Sequence, residues 1–401
     1  GGDAAALTRA VWPHVAPPPV DAALDIPNYL ALNADVAAAV AADGIDPAAH
    51  WRHDGLRERR IAPGTNIFAR RQLGVRDFVN WRSGVNLFAP FRSTTGLGEA
   101  ARGMRAALDA AGIAQVGIDV SGLIRPDLPL DLAGPGTLPY SINLVMLNPE
   151  QVSAFVDRYG TALFDRRATV GAWVWELSAP RLEWKGVLSG FDLLLTPSAF
   201  CTDAFASFTD RPVHTVPYVV DGARLRALAA EGITGGAETG PLAAVAAAKR
   251  AGRRVVLFIM DASSYTARKG VDAFVAIARR LEAAAPGRFV FCIKTHSADV
   301  SGFAGVAADA PVLLLEGLLD AAEMAALKAM ADLYVSPHRS EGFGFNIVES
   351  LLLGVPAACS PHGGPRMLLG DDYPWFLPGA LAEIGRDMGP YRREAIWFEP
   401  D

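Results

Sequence analysis

The sequence predicts an α/β protein made of two domains, each built around a parallel sheet. Short apolar runs alternate with helical stretches from about residue 84 onward, and a Gly-rich segment at 234–241 divides the series near its midpoint. Apolar runs that are each followed by a helix are typical of buried parallel strands. Two such series joined by a linker indicate two Rossmann-like domains, which we expect to face each other across a ligand-binding cleft.

The predicted strands form two groups. Those of the first half are 85–89, 116–120, 142–147, 170–174, 193–196 and 213–216, and those of the second are 255–260, 289–295, 312–315, 333–336 and 357–360. Predicted helices include 98–111, 272–285, 321–330 and 347–353. The predicted organisation is therefore an N-terminal extension at 1–82, a first domain at 83–233 and a second at 234–401.

The N-terminal extension has a different pattern. Three prolines at 17–19 form a stiff spacer. The residues after them predict one or two short helices, with a break at 43–47. His50 and His53 are close enough to raise the question of a metal site, but no further ligand lies near them in sequence. We interpret this segment as a helical packing module.

Composition excludes several classes of protein. The chain has 401 residues, 51% of them hydrophobic and 20% charged, which is enough for two cored domains. It contains no apolar run of about 18 residues, and we expect no secretory signal because none is visible in it. Its net charge of −6 argues against nucleic-acid binding. Cys201, Cys292 and Cys359 lie far apart in apolar segments, which indicates buried thiols in a reducing compartment.

The most informative segment is SEGFGFNIVES, which contains two carboxylates eight positions apart. Glu341 lies on a glycine-rich loop, and Glu349 lies about one turn inside the apolar helix that follows. Asn346 is the predicted N-cap of that helix, which we expect to end at Gly354. Backbone N–H groups of residues 343–346 would then face an anion, with a carboxylate on either side.

This segment resembles the E-x7-E donor signature of the retaining GT-B glycosyltransferases of group 1. NLFAPFRSTTGLGEAARGMRAAL, VHTVPYVVD and VVLFIMDASSYTARKGVDAFVAIARRL resemble other parts of that family in the same order, so that the resemblance covers roughly residues 83–400. The N-terminal helical segment resembles a small module that accompanies some bacterial glycosyltransferases. Family members usually continue with C-terminal helices that cross back between the domains. We expect the sequence up to Asp401 to lack these helices.

The resemblance implies a nucleoside-diphosphate sugar donor of the UDP or GDP type, and neither a metal nor another cofactor. Lys269 corresponds to the family's diphosphate lysine. The family's usual arginine is missing, because Ser264 and Tyr265 occupy its region, and Arg268 is the candidate substitute. By the same resemblance Glu341 contacts the transferred sugar or stabilises positive charge, and Glu349 accepts hydrogen bonds from the ribose.

Further donor contacts are implied at the loop residues. These candidates are Gly98, Phe343, Gly344, Phe345 and Asn346. On the acceptor side, Trp175 and Glu176 end a predicted strand, where tryptophan could stack on a sugar and the carboxylate could orient a hydroxyl. Plain packing of Trp173 and Trp175 explains the tryptophans equally well. Lys294, His296 and His338 are weaker candidates at strand ends.

A rival motif lies earlier in the chain. Gly96 and Gly98 fit the dinucleotide fingerprint G-x-G-x-x-G/A, and Asp119 follows at the distance expected for a ribose-binding acid. The fingerprint requires its first glycine directly after the strand, and here residues 90–95 intervene. An NAD-dependent enzyme is therefore the less favoured reading.

The sequence thus predicts a sugar transferase that acts with retention and without a metal on a glycan or glycoconjugate acceptor. We expect it in the bacterial cytoplasm, free or peripheral at the inner membrane face, in the synthesis of surface polysaccharide or another glycoconjugate. A catalytically silent module that binds nucleotide sugars or glycans is the main alternative. A sugar-nucleotide epimerase of the same fold also stays open.

Overall fold

The computed structural model describes residues 26–27, 30, 33–50, 82–124, 138–159, 164, 167–188, 190–235, 239–261, 265–296 and 309–401. The chain forms two compact units, divided at Val219 and Val220, with Glu176–Ser178 belonging to the second unit. The Gly-rich segment at 234–241 lies within the second unit, and its residues 236–238 are outside the described ones.

Two short helices are described in the N-terminal extension. They are α1 (Ala34–Asp43) and α2 (Pro47–His50), and they are separated at Gly44, whose φ of 66° ends α1 in the left-handed region. This agrees with the predicted helix break. His53 and the prolines at 17–19 lie outside the described residues.

The first unit contains a six-stranded parallel sheet in the order β2-β1-β3-β4-β5-β6. The strands are β1 (Arg82–Ala89), β2 (Gln115–Asp119), β3 (Tyr140–Val145), β4 (Ala168–Ala172), β5 (Leu193–Thr196) and β6 (Val213–Thr215). The helices are α3 (Gly96–Ala110), α4 (Pro149–Tyr159), α5 (Lys185–Leu188) and α6 (Ala199–Ala206). Every predicted strand of this half is present, with ends that differ by at most three residues.

The second unit contains a five-stranded parallel sheet in the order β11-β10-β7-β8-β9. Its strands are β7 (Arg254–Met260), β8 (Phe289–Thr295), β9 (Val312–Leu315), β10 (Leu333–Ser336) and β11 (Ala357–Cys359). Its helices are α7 (Gly222–Thr234), α8 (Ala243–Arg250), α9 (Thr266–Lys269), α10 (Val271–Ala284), α11 (Ala321–Met330), α12 (Phe345–Leu352) and α13 (Gly364–Leu369). From β7 the chain first builds β8 and β9 on one side, and it then returns to build β10 and β11 on the other.

This strand order places a topological switch point between β7 and β10. Ligands of open α/β sheets bind outside the carboxyl ends of the strands at such a point, because neighbouring connections leave in opposite directions there. Among the described residues, the loop after β7 carries Asp261 and Tyr265, and the loop after β10 carries residues 337–344. They include the glycine-rich part of the segment that the sequence singles out.

An antiparallel hairpin, β12 (Gly379–Glu383) with β13 (Ile396–Pro400), follows the second sheet and is absent from the sequence-based expectation. Arg339 attaches it to the loop after β10. Its guanidinium donates to both carboxylate oxygens of Asp272 and pairs with Glu399, and its carbonyl accepts from the Phe398 N–H at 2.8 Å. The Trp397 ring lies 5.3 Å from the same guanidinium. The hairpin is therefore anchored two residues before Glu341.

Candidate active site

Gly270, between α9 and α10, lies against the loop after β10. Its φ is 75°, and a Cβ there would lie 1.9 Å from the Pro337 carbonyl oxygen, so that only glycine fits. The Arg339 N–H donates to the Arg268 carbonyl at 2.7 Å. These contacts hold Arg268 and Lys269 beside the residues that follow β10.

Glu341 faces both cations of the short helix α9. Its Oε2 lies 2.5 Å from Lys269 Nζ and 3.7 Å from Arg268 Nη1. Burial by itself would raise the pKa of Glu341, but Lys269 and then Arg268 outweigh it and lower the pKa to about 2. Glu341 is therefore ionised at neutral pH and acts as a fixed negative charge.

Arg268 lies between two carboxylates. The residue is 5% exposed, its Nη1 donates to the Ser340 carbonyl at 2.9 Å, and its Nη2 lies 3.4 Å from Glu176 Oε1. Burial would lower the pKa of Arg268, but Glu176 and the neighbouring acidic groups raise it. The guanidinium links the predicted acceptor-side Glu176 to the predicted donor-side Glu341.

Tyr391 completes this cluster and was not predicted from the sequence. Its hydroxyl donates to Glu176 Oε2 at 3.4 Å, and its ring lies 6.0 Å from the Arg268 guanidinium. Burial is the main reason that the pKa of Tyr391 is raised, although Arg268 opposes it. The group remains a neutral phenol that can donate to Glu176. No local motif marks Tyr391, which lies 215 positions from Glu176 in the chain.

Trp175 belongs to the first unit and lies in its interior. Its ring packs edge-on against Trp184 at 4.7 Å, its indole N–H donates to the Ala179 carbonyl, and the residue is 4% exposed. The structure gives Trp175 a packing role, which is the alternative that the sequence left open. Trp173 is fully buried in the same way.

The helix after the site, α12, begins earlier than predicted. Gly344 is its N-cap with φ 92°, and the helix starts at Phe345, so the prediction of Asn346 as N-cap is wrong. Glycine adopts the left-handed conformation at low cost and lets the chain turn into the helix at this point. Phe343 is buried and packs edge-on against Phe345 at 4.9 Å, so its ring forms the floor of the loop.

A pair of adjacent glycines, Gly363 and Gly364, supports the backbone of Glu341 and was also not predicted from the sequence. A Cβ on Gly363 would lie 2.2 Å from the Glu341 carbonyl oxygen, and one on Gly364 would lie 2.1 Å from that of Gly342. The Gly364 N–H donates to the Glu341 carbonyl at 2.8 Å. The backbone of Glu341 is thus fixed by two glycines that cannot be replaced without moving it.

His338 is fully buried beside this support. Its Nε2 lies 3.1 Å from the His362 carbonyl, and its Nδ1 lies 3.1 Å from the Ser336 hydroxyl. Burial lowers the pKa of His338 from 6.5 to about 4. His338 is therefore neutral. It supports the end of β10 and does not offer a positive charge to a ligand.

This histidine predicts an acid-dependent loss of stability. Because the pKa of His338 in the folded state is below that of the unfolded chain, the unfolded chain takes up the proton first, and stability falls as pH drops from 6.5 to about 4. The expected contribution is roughly 3 kcal/mol. Urea unfolding of wild type and His338→Gln between about pH 7 and pH 4 measures it. Parallel pH dependences in the two proteins would contradict it.

Glu349 lies inside α12, as predicted, and its carboxylate pairs with Lys328 of α11 through Oε2. The side chains of the two residues are 6% (Lys328) and 14% (Glu349) exposed. No pattern in the sequence marks Lys328, because a lysine in the last turn of a helix is a common surface residue.

Two residues of the dinucleotide fingerprint in the first unit, Gly98 and Asp119, make contacts with nearby residues of the chain. A Cβ on Gly98 would lie 1.9 Å from the Ser93 carbonyl, so this glycine is required for packing of the loop before α3. Asp119 accepts from the Ser121 hydroxyl at 2.5 Å and from the Arg92 N–H at 3.4 Å. These contacts weaken the dinucleotide-binding interpretation.

Other candidate ligand groups are used structurally. Lys294 is buried at the end of β8, where it donates to the Thr295 carbonyl at 2.6 Å and to that of Gly317, and burial lowers its pKa. His296 lies just after β8. The three cysteines are buried free thiols, as predicted. Within the described ranges, no group of three His, Cys, Asp or Glu residues could hold a metal ion.

The comparisons with known proteins bear on this site. Residues 314–387 match the profile of the family Glycosyl transferases group 1. This segment of the second unit is similar to group 1 glycosyltransferases. This segment includes Glu341, Glu349 and Lys328, whereas Arg268 and Lys269 precede it. The predicted resemblance to group 1 glycosyltransferases is confirmed over these residues.

Solved structures show the fold. The chain is similar to the α,α-trehalose 6-phosphate synthase of Burkholderia multivorans, with a TM-score of 0.52 and 12% identity over 71% of this chain and 85% of that one. It is also similar to the UDP-forming α,α-trehalose-phosphate synthase of Burkholderia vietnamiensis, with a TM-score of 0.50 and 13% identity over 77% and 86% of the two chains. The predicted GT-B fold, with its two parallel Rossmann-like sheets, is confirmed. A search of curated proteins finds no match.

Proposed function

We propose that the chain transfers a sugar from a nucleoside-diphosphate sugar to a glycan or glycoconjugate acceptor, with retention of configuration and without a metal ion. One observation carries the proposal: Lys269, Arg268 and ionised Glu341 form a cluster at the switch point, directly before the N-terminus of α12. Sugar transfer from a diphosphate requires a place for the leaving anion and charge control at the sugar carbon. The cluster contains groups for both.

The diphosphate would bind to Lys269 and to the N-terminus of α12, whose first N–H groups and dipole favour an anion. Two further groups of this region support the assignment. Arg268 Nε and Ser340 Oγ are buried and have no hydrogen-bond partner among the described residues. Buried polar atoms are normally satisfied, and their lack of a partner is consistent with a polar ligand.

Glu341 would face the transferred sugar. Since its pKa is about 2, it remains a carboxylate throughout the neutral range and can stabilise positive charge that develops at the sugar carbon. A glycosidase pair works differently, because one of its carboxyl groups must hold a proton for the leaving oxygen. We propose a front-face transfer in which the diphosphate itself stays close to the incoming hydroxyl.

Glu349 would accept hydrogen bonds from the ribose of the donor, and Glu176, held by Arg268 and Tyr391, would orient the acceptor hydroxyl. No helix in the described part of the chain has the length and apolarity needed to cross a membrane. We place the reaction in the cytoplasm of a bacterium, free or peripheral at the inner membrane face, in the synthesis of a polysaccharide or another glycoconjugate.

The proposed nucleotide site predicts selective thermal stabilisation. Unfolding is measured with UDP, GDP, ADP and NAD in parallel, without added metal. UDP comes first, because the Burkholderia vietnamiensis structure is named as UDP-forming. A ligand at about 100 times its dissociation constant stabilises the folded state by about 2.7 kcal/mol. We expect this shift with one nucleoside diphosphate, its loss in Glu349→Ala, and its retention in Glu231→Ala, where an exposed glutamate of α7 is changed.

The other outcomes separate the alternatives. A shift with NAD alone would overturn the proposed function in favour of a dinucleotide enzyme. Binding of a nucleoside diphosphate without any consumption of the corresponding nucleotide sugars, even with mixed glycan acceptors, would indicate a silent binding module. No shift with any of the four would also contradict the proposal.

A further inference from the structure

The ion pair between Lys328 and Glu349 is the feature of the second unit that the proposed chemistry leaves unexplained. Lys328 lies in the last turn of α11, and its side chain is almost fully buried. Its ammonium contacts Oε2 of Glu349. Among the described residues, the hydrogen bond from Lys328 to Oε2 is the only one that the Glu349 carboxylate accepts.

The helix that carries Lys328 is firmly held. At its start, Asp320 and Glu323 form a reciprocal capping box. Along one side it packs against α7 so closely that a Cβ on Gly232 would lie 2.2 Å from the Ala322 carbonyl oxygen. Ala325, Ala326 and Leu327 are buried with Lys328. The backbone of Lys328 is therefore held by contacts that do not involve the pair itself.

Stability alone does not account for a buried pair of this kind. Desolvation offsets much of the attraction between buried charges, and well-packed apolar side chains often stabilise a protein as much or more. An unneutralised carboxylate beside a diphosphate would also repel it. A cation behind Glu349 removes that repulsion and fixes one carboxylate oxygen while leaving the other to accept a hydrogen bond.

We propose that Lys328 is a positioning residue, which holds the Glu349 carboxylate so that Oε1 accepts hydrogen bonds from the ribose hydroxyls of the donor nucleotide. This inference rests on the proposed function. It adds that Lys328 contributes to the preference of the site for ribose over deoxyribose. Lys328 itself does not touch the donor. Its effect on binding passes through Glu349.

The test is binding of UDP, GDP and ADP, and of their 2′-deoxy and 3′-deoxy forms, to the full chain by calorimetry. A hydrogen bond to a charged group accounts for roughly 10- to 100-fold in affinity, so the wild type should bind at least one deoxy form that much more weakly. We expect Lys328→Met and Lys328→Gln to bind the ribonucleotide about tenfold more weakly than the wild type does. In these variants the ribonucleotide and its deoxy form should then bind with nearly equal affinity. Lys328→Arg should keep part of the discrimination.

A double-mutant cycle isolates the route of the effect. If Lys328 acts through Glu349, adding Lys328→Met to Glu349→Gln should cause no further loss of affinity. Lys249→Met is the matched control, since Lys249 forms a more exposed pair with Asp332 in the same unit. It should leave binding and discrimination unchanged. Thermal unfolding confirms that each variant is folded.

Unchanged discrimination in folded Lys328→Met or Lys328→Gln would overturn this inference while leaving the proposed function intact. Additive losses in the double mutant would overturn it as well. A wild type that binds none of the three nucleoside diphosphates would instead overturn the proposed function, so the two failures are distinguishable.

Discussion

Turnover of Lys269→Ala is expected to fall by roughly 10²–10³, the scale for removal of one preorganised electrostatic contact at a reacting group. Lys269 is the cation nearest to Glu341, at 2.5 Å, and the group proposed to neutralise the leaving diphosphate. Glu341→Ala and Glu349→Ala should lose activity on the same scale. Initial rates of nucleoside-diphosphate release with varied donor measure kcat and kcat/KM.

The pH dependence adds a sharper criterion. Lys269 is a main reason that the pKa of Glu341 lies at about 2, so its removal should raise that pKa. The residual activity of Lys269→Ala should therefore decline at higher pH than that of the wild type as the solution is acidified, because Glu341 takes up a proton sooner. Lys249→Ala is the control. Near-wild-type rates in all three site variants would refute the site assignment.

The second large effect concerns stability. Arg268→Met removes the buried cation between Glu176 and Glu341 and leaves both carboxylates with weaker compensation. Breaking a buried pair by removing one partner costs about 3–5 kcal/mol in free energy of unfolding. We expect a loss of this size in urea unfolding at neutral pH. Arg280→Met, which changes an exposed arginine of α10, should lie within about 0.5 kcal/mol of the wild type.

The result also discriminates between two roles of Arg268. A stability close to that of the wild type would contradict the description of Arg268 as the central cation of the cluster. Such a result would favour a role in which the Arg268 guanidinium serves mainly to bind a ligand. Addition of the nucleotide identified by thermal unfolding should then stabilise the wild type more than Arg268→Met.

The strands were predictable because each is a short buried run, and burial on both faces of a parallel sheet produces continuous apolar sequence. The start of α12 was less predictable. Asn346 is a good N-cap by residue type, but the left-handed turn at Gly344 begins the helix earlier. The β12–β13 hairpin was missed because the sequence GALAE of β12 has neither β-branched nor aromatic residues.

The candidate site was predictable where it depends on neighbours in sequence. Glu341, the glycines and Glu349 share one segment, and Lys269-Gly270 can be recognised by itself in another. Tyr391 and Lys328 could not be found in this way, because their contacts with Glu176 and Glu349 exist only after the chain has folded. The support of Glu341 by Gly363 likewise depends on a close approach between loops.

The attachment of the hairpin by Arg339 sets a boundary for protein engineering. Glu399 and Trp397 contact the residue that lies two positions before Glu341. A shortened version of the second unit that ends before β13 would lack Glu399 and Trp397. Arg339 would then keep Asp272 as its one acidic partner among the described residues. Minimal fragments, domain exchanges and C-terminal tags should therefore retain the chain through Glu399 and begin any linker after it.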